Sequence, residues 1–260
     1  MPKSAPEKLR RFYDQFEGHD HVLIVINADP DAIGSAMAVS RLLWRRVLNV
    51  TISNVNTINR PDNRAMLRLL DVTTVPFGQI KSGKYTKFVI VDSQPDHNEF
   101  MAQLKPDVII DHHPDSKPKA PFVDIRPNYG ATATILTEYL KTAGLKPPQT
   151  IATALFYGIK SDTMGLIRST SPADAAAFCY LQSQVDMEAL AKIEHAQVPA
   201  EYFKSFVLAL QSARIYDRVV IAFLGPVDYP DLGAEMADIL LRLRGIRWVV
   251  CIGTLSLIHI

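Results

Sequence analysis

HVLIVINADPDAIGSAMAVSRLLW, residues His21 to Trp44, is the stretch of sequence that decides the fold class. It begins with a continuous apolar run of strand length and continues with residues typical of a helix. A run that is apolar at every position predicts a strand buried on both faces, and such strands are usually parallel. Two aspartates, Asp29 and Asp31, stand where the predicted strand gives way to the helix. One acid can cap a helix N-terminus, but two acids that face the same way repel each other unless a cation lies between them.

The same alternation of apolar runs and helical segments continues along the chain. Strands are predicted in VTISNV (50–55), FVIVD (88–92) and DVIID (107–111), and helices over residues 32–48, 63–70 and 98–104. This alternation predicts an α/β fold with a mostly parallel sheet, helices on both faces and right-handed crossovers.

From Ala131 onward, helical periodicity dominates the sequence. Four segments, 131–144, 150–163, 171–184 and 200–217, carry it, and they predict a helical linking layer packed on the sheet. A β-α-β pattern then returns with RVVIAFLG, a helix over Leu232–Arg244 and IRWVVCIG. We interpret this pattern as the start of a smaller C-terminal α/β domain. Since two strands and one helix bury little core, we interpret the chain as truncated, with the last residues of TLSLIHI (254–260) as non-native.

Composition excludes several classes of protein. Hydrophobic residues make up 48% of the chain and charged residues 21%, which is typical of a soluble globular protein. A net charge of +1 gives no long-range attraction to nucleic acid or membrane, so an anionic ligand must be held locally. Two distant cysteines, Cys179 and Cys251, form neither a disulfide framework nor a CxxC metal site. With no signal peptide and no apolar run long enough for a membrane span, we predict a cytoplasmic protein without a membrane partner.

Acidic residues and histidines follow the predicted strands at the point where each strand ends. They are Asp29, Asp31, Asp92 and the sequence Asp111-His112-His113. The carboxyl ends of parallel strands meet at one edge of a sheet, where ligand sites form. Asp162 follows a helical run in KSDTMG, and a packed helix could deliver it to the same edge. Taken one at a time, each of these acids is an ordinary turn residue or helix cap, and the histidine pair an ordinary loop.

The chemistry of this set favours a particular kind of metal site. Several carboxylates with one or two imidazoles and no cysteine suit Mn²⁺, Mg²⁺ or Fe²⁺ better than structural zinc. Asp29 and Asp31 are two residues apart in a segment predicted to be extended, so their side chains would face the same way. Each could hold one of two metals roughly 3.5–4 Å apart, with a third carboxylate as the bridge. Such a pair could bind a phosphoryl group and activate a water molecule.

Four segments of the sequence resemble, in order, the four motifs of the DHH phosphoesterase family. They are NADPDAIGSAMA, VDSQP, DHHP and GIKSDTMG, and the resemblance covers roughly residues 20–215. The most similar branch is that of the nano-RNases and pAp-phosphatases, with RecJ-like exonucleases and manganese pyrophosphatases as more distant relatives. A capping box at Ser4-Ala5-Pro6-Glu7 predicts an N-terminal helix within residues 1–19. Together with the resemblance, the sequence predicts a catalytic domain over 20–200, a linker helix over 201–215 and a partial C-terminal domain over 216–260.

The resemblance also implies roles for individual residues. The metal ligands would be Asp29, Asp31, Asp92, His112 and Asp162. Asp29 and Asp92 would hold the first metal, and the second would be held by the other three residues together with Asp92, which bridges the two. His113 would contact the substrate phosphate and help to protonate the leaving oxygen, while Asp111 would orient the histidine pair. The family metal is usually Mn²⁺, with Mg²⁺ as an alternative.

Two features depart from the family pattern. Many members carry a histidine ligand of the first metal four residues before the first motif aspartate, where this chain has Val25. The first site is therefore expected to be weaker, with Asn27 as a replacement ligand by proximity only. The glycine-rich segment of the family's C-terminal domain, commonly GGGH-like, is also absent from this sequence.

Three further residues are weaker candidates for substrate binding. Arg126 precedes ATATILTEYL and, together with the N-terminus of that predicted helix, could receive a phosphate; an ordinary capped helix with a surface arginine is the alternative. Ser35 opens the first helix beside the site, and Arg168 follows the fourth motif. Four other histidines, His19, His21, His97 and His195, show no partner pattern and are interpreted as surface or capping residues.

The leading functional hypothesis is a metal-dependent phosphoesterase that acts on short RNA oligonucleotides or on 3′-phosphoadenosine 5′-phosphate. It would be a nucleic-acid-binding hydrolase of the oligoribonuclease or exonuclease kind. The same site could instead serve a linear-dinucleotide phosphodiesterase or a polyphosphatase. A third hypothesis, motivated by Val25 and the short C-terminus, is a nucleotide-binding regulatory module that has lost catalysis. A homodimer is compatible with all three.

Overall fold

Six strands form one parallel sheet in the computed structural model, which describes residues 4–255. The strands are β1 (His21–Ile26), β2 (Asn49–Asn54), β3 (Val75–Pro76), β4 (Lys87–Val91), β5 (Val108–Asp111) and β6 (Phe122–Ile125), in the order β3-β2-β1-β4-β5-β6. Every neighbouring pair is parallel. The predicted α/β fold with a mostly parallel sheet is therefore confirmed.

The described part of the chain contains ten α-helices. They are α1 (Ala5–Tyr13), α2 (Pro30–Leu43), α3 (Pro61–Leu69), α4 (Glu99–Ala102), α5 (Thr132–Thr142), α6 (Gln149–Asp162), α7 (Pro172–Gln182), α8 (Met187–Glu194), α9 (Ala200–Ser212) and α10 (Leu232–Leu240). Met101 of α4 packs with Leu23, Val25 and Ile90 on one face of the parallel sheet. Alternate residues of β1 point to the other face, where α2 contacts the strand.

The structure corrects several element boundaries. Helix α2 ends at Leu43 rather than at residue 48, because Trp44 leaves the helical conformation with ψ of 126° and Arg45 follows with a left-handed φ of 62°. The last predicted helical segment ends at Ser212, and Arg214–Tyr216 form strand β7 instead of helix. Strand β6 was not predicted, since the four residues FVDI lie at the edge of the sheet and only two of them are buried.

Two glycines allow α2 and α6 to pack closely against each other. A Cβ on Gly34 would lie 2.8 Å from the carbonyl oxygen of Ala154, and one on Gly158 would lie 2.9 Å from the Cα of Asp31. Neither position leaves room for a larger side chain. Asp162 ends α6 four residues, about one helical turn, after Gly158. The close contact therefore places Asp162 beside the N-terminus of α2.

Replacing Gly158 by alanine is expected to destabilise the protein by about 1–3 kcal/mol, because the new Cβ overlaps the backbone of Asp31. Urea unfolding of the metal-free protein measures the change. Gly18→Ala is the matched control, since a Cβ at Gly18 meets nothing within 4 Å. Equal stability of the two variants would contradict the close-packing interpretation.

The chain divides into two compact units. One comprises the chain up to Ile58 together with Asn63–Glu194, and the other comprises Asn59–Asp62 and the chain from His195 onward. In the second unit, β7 (Arg214–Tyr216), β8 (Val219–Val227) and β9 (Trp248–Leu255) form a sheet in that order, with β7 antiparallel to β8 and β9 parallel to it. Helix α9 belongs to this unit because Ala209 is buried with Val220 of β8. The sequence predicts that the C-terminal domain starts at residue 216, whereas the second unit also includes helix α9. The predicted domain boundaries stay a prediction.

Two remaining expectations concern the last residues of the chain and the absence of a membrane-spanning helix. The interpretation of the final residues as non-native falls mainly on 256–260, which lie outside the described residues. Between residues 4 and 255, no helix is both long enough and apolar enough to cross a membrane.

Candidate metal centre

The first two acids sit at the N-terminus of α2. Asp29 is the N-cap residue, and its Oδ1 accepts the backbone N–H of Ala32 at 2.8 Å. Asp31 lies inside the first helical turn, so the extended segment expected between the two acids is replaced by the start of the helix. Its carboxylate is fully buried and accepts two backbone N–H groups, from Thr132 at 2.6 Å and from Ala133 at 2.7 Å. The N-terminus of α5, where we predicted a substrate phosphate, thus stabilises the carboxylate of Asp31.

Asp92 follows β4 and lies close to the same place. Its backbone adopts φ of 57°, an uncommon conformation that aspartate tolerates better than most residues, while its N–H still donates to Ile110 in the sheet. The hydroxyl of Thr132 donates to Oδ1 of Asp92 at 2.9 Å. Thr132 therefore contacts two acids at once, Asp31 through its backbone and Asp92 through its side chain.

His112 faces three carboxylates without a hydrogen bond to any of them. Its Nε2 lies 3.4 Å from an oxygen of Asp162, 3.5 Å from Asp92 and 3.9 Å from Asp31. This nitrogen is buried and has no hydrogen-bond partner among the described residues. The other ring nitrogen, Nδ1, lies 3.2 Å from the carbonyl oxygen of Tyr129 and donates to it in the neutral ring, which leaves the lone pair on Nε2.

A divalent cation fits this arrangement. Oxygens of Asp31 and Asp162 and a nitrogen of His112 all lie within 4.8 Å of one another, as do ligand atoms of Asp92, His112 and His113. An unpartnered buried imidazole nitrogen that faces several carboxylates is what an oxygen- and nitrogen-ligated metal requires. Asp29 interacts electrostatically with the same residues. The charge of Asp162 raises its pKa, and the charges of His113 and His112 lower it.

Asp111 holds the two histidines in place. Its Oδ1 accepts from Nδ1 of His113 at 2.8 Å and from the backbone N–H of His112 at 2.8 Å, and Gln94 donates to its Oδ2 at 2.7 Å. Burial opposes the ionised form, but the hydrogen bonds from His113 and Gln94 outweigh it and lower the pKa of Asp111. The hydrogen bond to Asp111 in turn raises the pKa of His113.

Three of the other acids, Asp29, Asp31 and Asp92, hold their protons more strongly than an ordinary aspartate in the metal-free protein. Burial, with the neighbouring charge of Asp162, raises the pKa of Asp29 to about 6 and that of Asp31 to about 7. Burial and the charges of Asp31 and Asp29 raise the pKa of Asp92 well above its ordinary value. Burial alone would lower the pKa of His112, but the adjoining carboxylates of Asp162 and Asp31 raise it to about 9. Crowded acids of this kind are typical of functional sites.

The metal-free protein is therefore expected to lose stability as the pH rises from about 4 to about 9. In the folded state Asp29 and Asp31 keep their protons at pH values above the ordinary carboxyl pKa of 3.8. Their contribution to the free energy of unfolding is therefore fully present below about pH 4. It is lost as the pH rises through about 6 for Asp29 and about 7 for Asp31. The contribution of His112 is present below pH 6.5 and lost through about 9. Urea midpoints in the presence of EDTA measure this slope. Asp31→Asn should flatten it, and an equal slope in that variant would contradict the assignment.

The three substrate-binding candidates do not share one location. The hydroxyl of Ser35 is fully buried and lies 3.4 Å from Asp31 Oδ1, so it contacts an acid of the cluster. The guanidinium of Arg126 pairs with Asp124 and Glu138, and these ion pairs occupy it. Arg168 is exposed. Val25 is fully buried in β1, where it cannot serve as a ligand, and Asn27 is exposed.

Three residues that support the centre were missed by sequence reasoning. Thr132 and Gln94 lie inside quoted segments, but their contacts to the acids depend on how distant loops meet. The side-chain amide of Asn56 accepts the N–H of Ala28 at 2.7 Å and donates to its carbonyl at 3.0 Å, which fixes the backbone just before Asp29. An asparagine in a polar loop gives no sequence signal for that role.

Comparison with known proteins gives two sequence matches. Residues 21–159 match the profile described as DHH family, N-terminal domain. The chain is 35% identical over 233 residues to the uncharacterized protein MJ1633 of Methanocaldococcus jannaschii, a match that covers 89% of this chain and 49% of that protein. The chain therefore spans about half the length of this curated relative.

Solved structures of other proteins share the fold. An exopolyphosphatase-related protein from Bacteroides fragilis superposes with a TM-score of 0.71 at 14% identity, over 92% of this chain and 77% of that chain. A structure of the exonuclease RecJ bound to manganese superposes with a TM-score of 0.50 at 13% identity, over 96% of this chain and 81% of that chain. At such low identity these likenesses describe the fold and not the activity.

Proposed function

The chain belongs to the DHH family, and from this premise we propose that it is a metal-dependent phosphoesterase. The observation that carries the proposal is the unpartnered Nε2 of His112, which faces the carboxylates of Asp31, Asp92 and Asp162 at 3.4–3.9 Å. Carboxylates and one imidazole around a buried point suit a hard divalent cation, and Mn²⁺ is the metal we assign. The manganese bound by the RecJ relative supports that choice.

Five residues are proposed as ligands of two metal ions. The first ion is assigned to Asp29 and Asp92, and the second to Asp31, Asp92, His112 and Asp162. Because Val25 cannot contribute a ligand, we expect the first ion to bind more weakly than the second. When bound, the ions supply positive charge for the phosphate oxygens and a water molecule of lowered pKa as the nucleophile.

His113 is proposed to contact the substrate phosphate and to protonate the leaving oxygen. Its side chain is 43% exposed, so a ligand can reach it, and Asp111 holds Nδ1 at 2.8 Å. Nε2 is then the ring nitrogen that remains for a substrate oxygen. Asp111 keeps the ring in this orientation and favours its protonated form, which suits a general acid.

The substrates we propose are short RNA oligonucleotides and 3′-phosphoadenosine 5′-phosphate. The order of the four motifs, which resembles the nano-RNase and pAp-phosphatase branch, supports this choice. The fold likeness to an exopolyphosphatase-related protein keeps polyphosphate as an alternative, and linear dinucleotides share the same chemistry. We propose that Ser35 and Asn56 support the acids rather than the substrate, and that Arg168 is the remaining basic candidate for a phosphate contact.

A panel of substrates tests this proposal. Dinucleotides, 3′-phosphoadenosine 5′-phosphate and polyphosphate are each incubated with the protein and Mn²⁺, and nucleotide or phosphate release is followed with EDTA as the blank. The proposal expects Mn²⁺-dependent release from the first two. Release from polyphosphate alone would favour the polyphosphatase. Tight Mn²⁺ binding with no release from any substrate would favour a regulatory module that has lost catalysis.

A further inference from the structure

His97 lies beside the candidate metal centre, although the sequence suggested only a surface or capping residue. It ends a short helical turn, Pro95–His97, that follows Asp92. Its ring centroid is 5.5 Å from that of His113, and the two rings are nearly perpendicular at 80°. A ring nitrogen of His97 lies within 4.8 Å of a ring nitrogen of His113 and of an oxygen of Asp111. The side chain is exposed, so a ligand that reaches His113 can also reach His97.

Hydrogen bonds fix which ring nitrogen of His97 carries the proton. The backbone N–H of Gln94 donates to Nδ1 at 3.3 Å, and the hydroxyl of Ser93 lies 3.5 Å from the same atom. Because Nδ1 is an acceptor, the proton of the neutral ring is on Nε2. Among the described residues, no hydrogen-bond partner of Nε2 is found. An N–H donor is therefore available to a ligand.

The buried side chain of Gln94 holds in place the loop that carries His97. Gln94 is fully buried, and its side chain donates to Asp111 at 2.7 Å and accepts from the backbone N–H of Ser116 at 2.9 Å. The position of His97 thus depends on the same glutamine that orients Asp111. A donor held on such a loop loses little conformational freedom when it binds a ligand.

An anion fits the pair of histidines better than a cation does. Both oxygens of Asp111 already accept hydrogen bonds, from His112 and His113 on one side and from Gln94 on the other. A cation shared by His97, Asp111 and His113 would displace those contacts. The N–H group that neutral His97 offers at Nε2 suits an oxygen of a phosphate, which accepts hydrogen bonds from several donors.

We propose that His97 is a substrate-binding residue. Its Nε2–H donates a hydrogen bond to an oxygen of the phosphate that His113 contacts. The proposal rests on the phosphoesterase function and adds a second imidazole to its substrate site. Two imidazole rings whose centroids lie 5.5 Å apart can both reach oxygens of one phosphate group. His97 then contributes to substrate affinity more than to the chemical step.

Three substitutions separate this role from the capping role of His97. His97→Gln keeps an acceptor for the Gln94 N–H and also keeps an N–H donor, so its phosphate affinity should stay within about threefold of wild type. His97→Glu keeps the acceptor but turns the donor into an anion. His97→Ala removes both. His19→Ala is the control, because the His19 side chain is 75% exposed and, among the described residues, its ion pair is with Glu17.

Binding of inorganic phosphate, measured by calorimetry with Mg²⁺ present, gives a readout that needs no turnover. His97→Ala should weaken binding about tenfold, and His97→Glu should weaken it at least as much. KM should rise in the same order with a smaller change in kcat. A phosphate-dependent shift of the His97 ring nitrogens in NMR spectra should accompany binding in the wild type.

The outcomes separate this inference from the function on which it rests. Equal phosphate affinity and KM in His97→Glu and His97→Gln, with an active wild type, would show that His97 is only a cap and would overturn the inference alone. A wild-type protein that neither binds phosphate nor hydrolyses any substrate would overturn both the inference and the proposed function.

Discussion

Replacement of Asp92 by alanine is expected to lower the rate of Mn²⁺-dependent hydrolysis by at least about a thousandfold, or about 4 kcal/mol of activation free energy. Asp92 is the carboxylate proposed to be shared by both metal ions, and its Oδ1 lies 3.5 Å from the unpartnered nitrogen of His112. Loss of one shared ligand should weaken both ions together and with them the activated water. Initial rates with bis(p-nitrophenyl) phosphate across a series of Mn²⁺ concentrations measure the effect.

Two further variants make that result interpretable. Glu99→Ala removes an exposed acid from the following helix and should keep full activity. Asp92→Asn should be as inactive as Asp92→Ala but more stable than wild type without metal, because it removes the cost of placing an ionisable carboxyl among crowded and buried acids. If Asp92→Ala retained more than a tenth of the wild-type rate, the assigned site would be wrong.

Saturating Mn²⁺ is expected to raise the melting temperature by about 5–10 °C at neutral pH. A ligand at a hundred times its dissociation constant stabilises a protein by about 2.7 kcal/mol, which corresponds to such a shift for a unit of this size. Here the cation also relieves the repulsion among Asp29, Asp31, Asp92 and Asp162. Thermal unfolding followed by circular dichroism, with and without Mn²⁺, measures the shift.

The Mn²⁺-induced shift should shrink as the pH falls from 8 to 5. Protons compete with the metal for Asp29, Asp31 and His112, whose pKa values of about 6, 7 and 9 all lie above or within that range. Asp31→Asn should lose most of the shift at every pH. A shift of the same size in wild type and in Asp31→Asn would mean that Mn²⁺ binds elsewhere.

The sheet and its acids could be predicted because their signal is local. Apolar runs such as VLIVIN and FVIVD mark strands buried on both faces, and an aspartate after each of them is brought to one sheet edge by the parallel arrangement alone. Strand β6 escaped prediction because an edge strand of four residues with alternating burial has no such run.

Contacts that depend on the meeting of distant loops could not be predicted. The N-terminus of α5 is a good anion site by itself, but only the tertiary structure shows that Asp31, about a hundred residues earlier, occupies it. Arg126 stays a predicted phosphate ligand, but its ion pairs with Asp124 and Glu138 could not be read from the sequence. His97 follows Asp92 by five residues, yet its nearness to His113 arises from the way the Gln94 loop folds onto Asp111.

The electron paramagnetic resonance spectrum of Mn²⁺ titrated into the protein tests the central claim most directly. We expect two bound ions per chain with an exchange-coupled signal, because one carboxylate, that of Asp92, is proposed to bridge them. In Asp92→Asn the coupled signal should disappear and the ions should bind far more weakly. An uncoupled spectrum that is identical in the wild type and in Asp92→Asn would contradict the account.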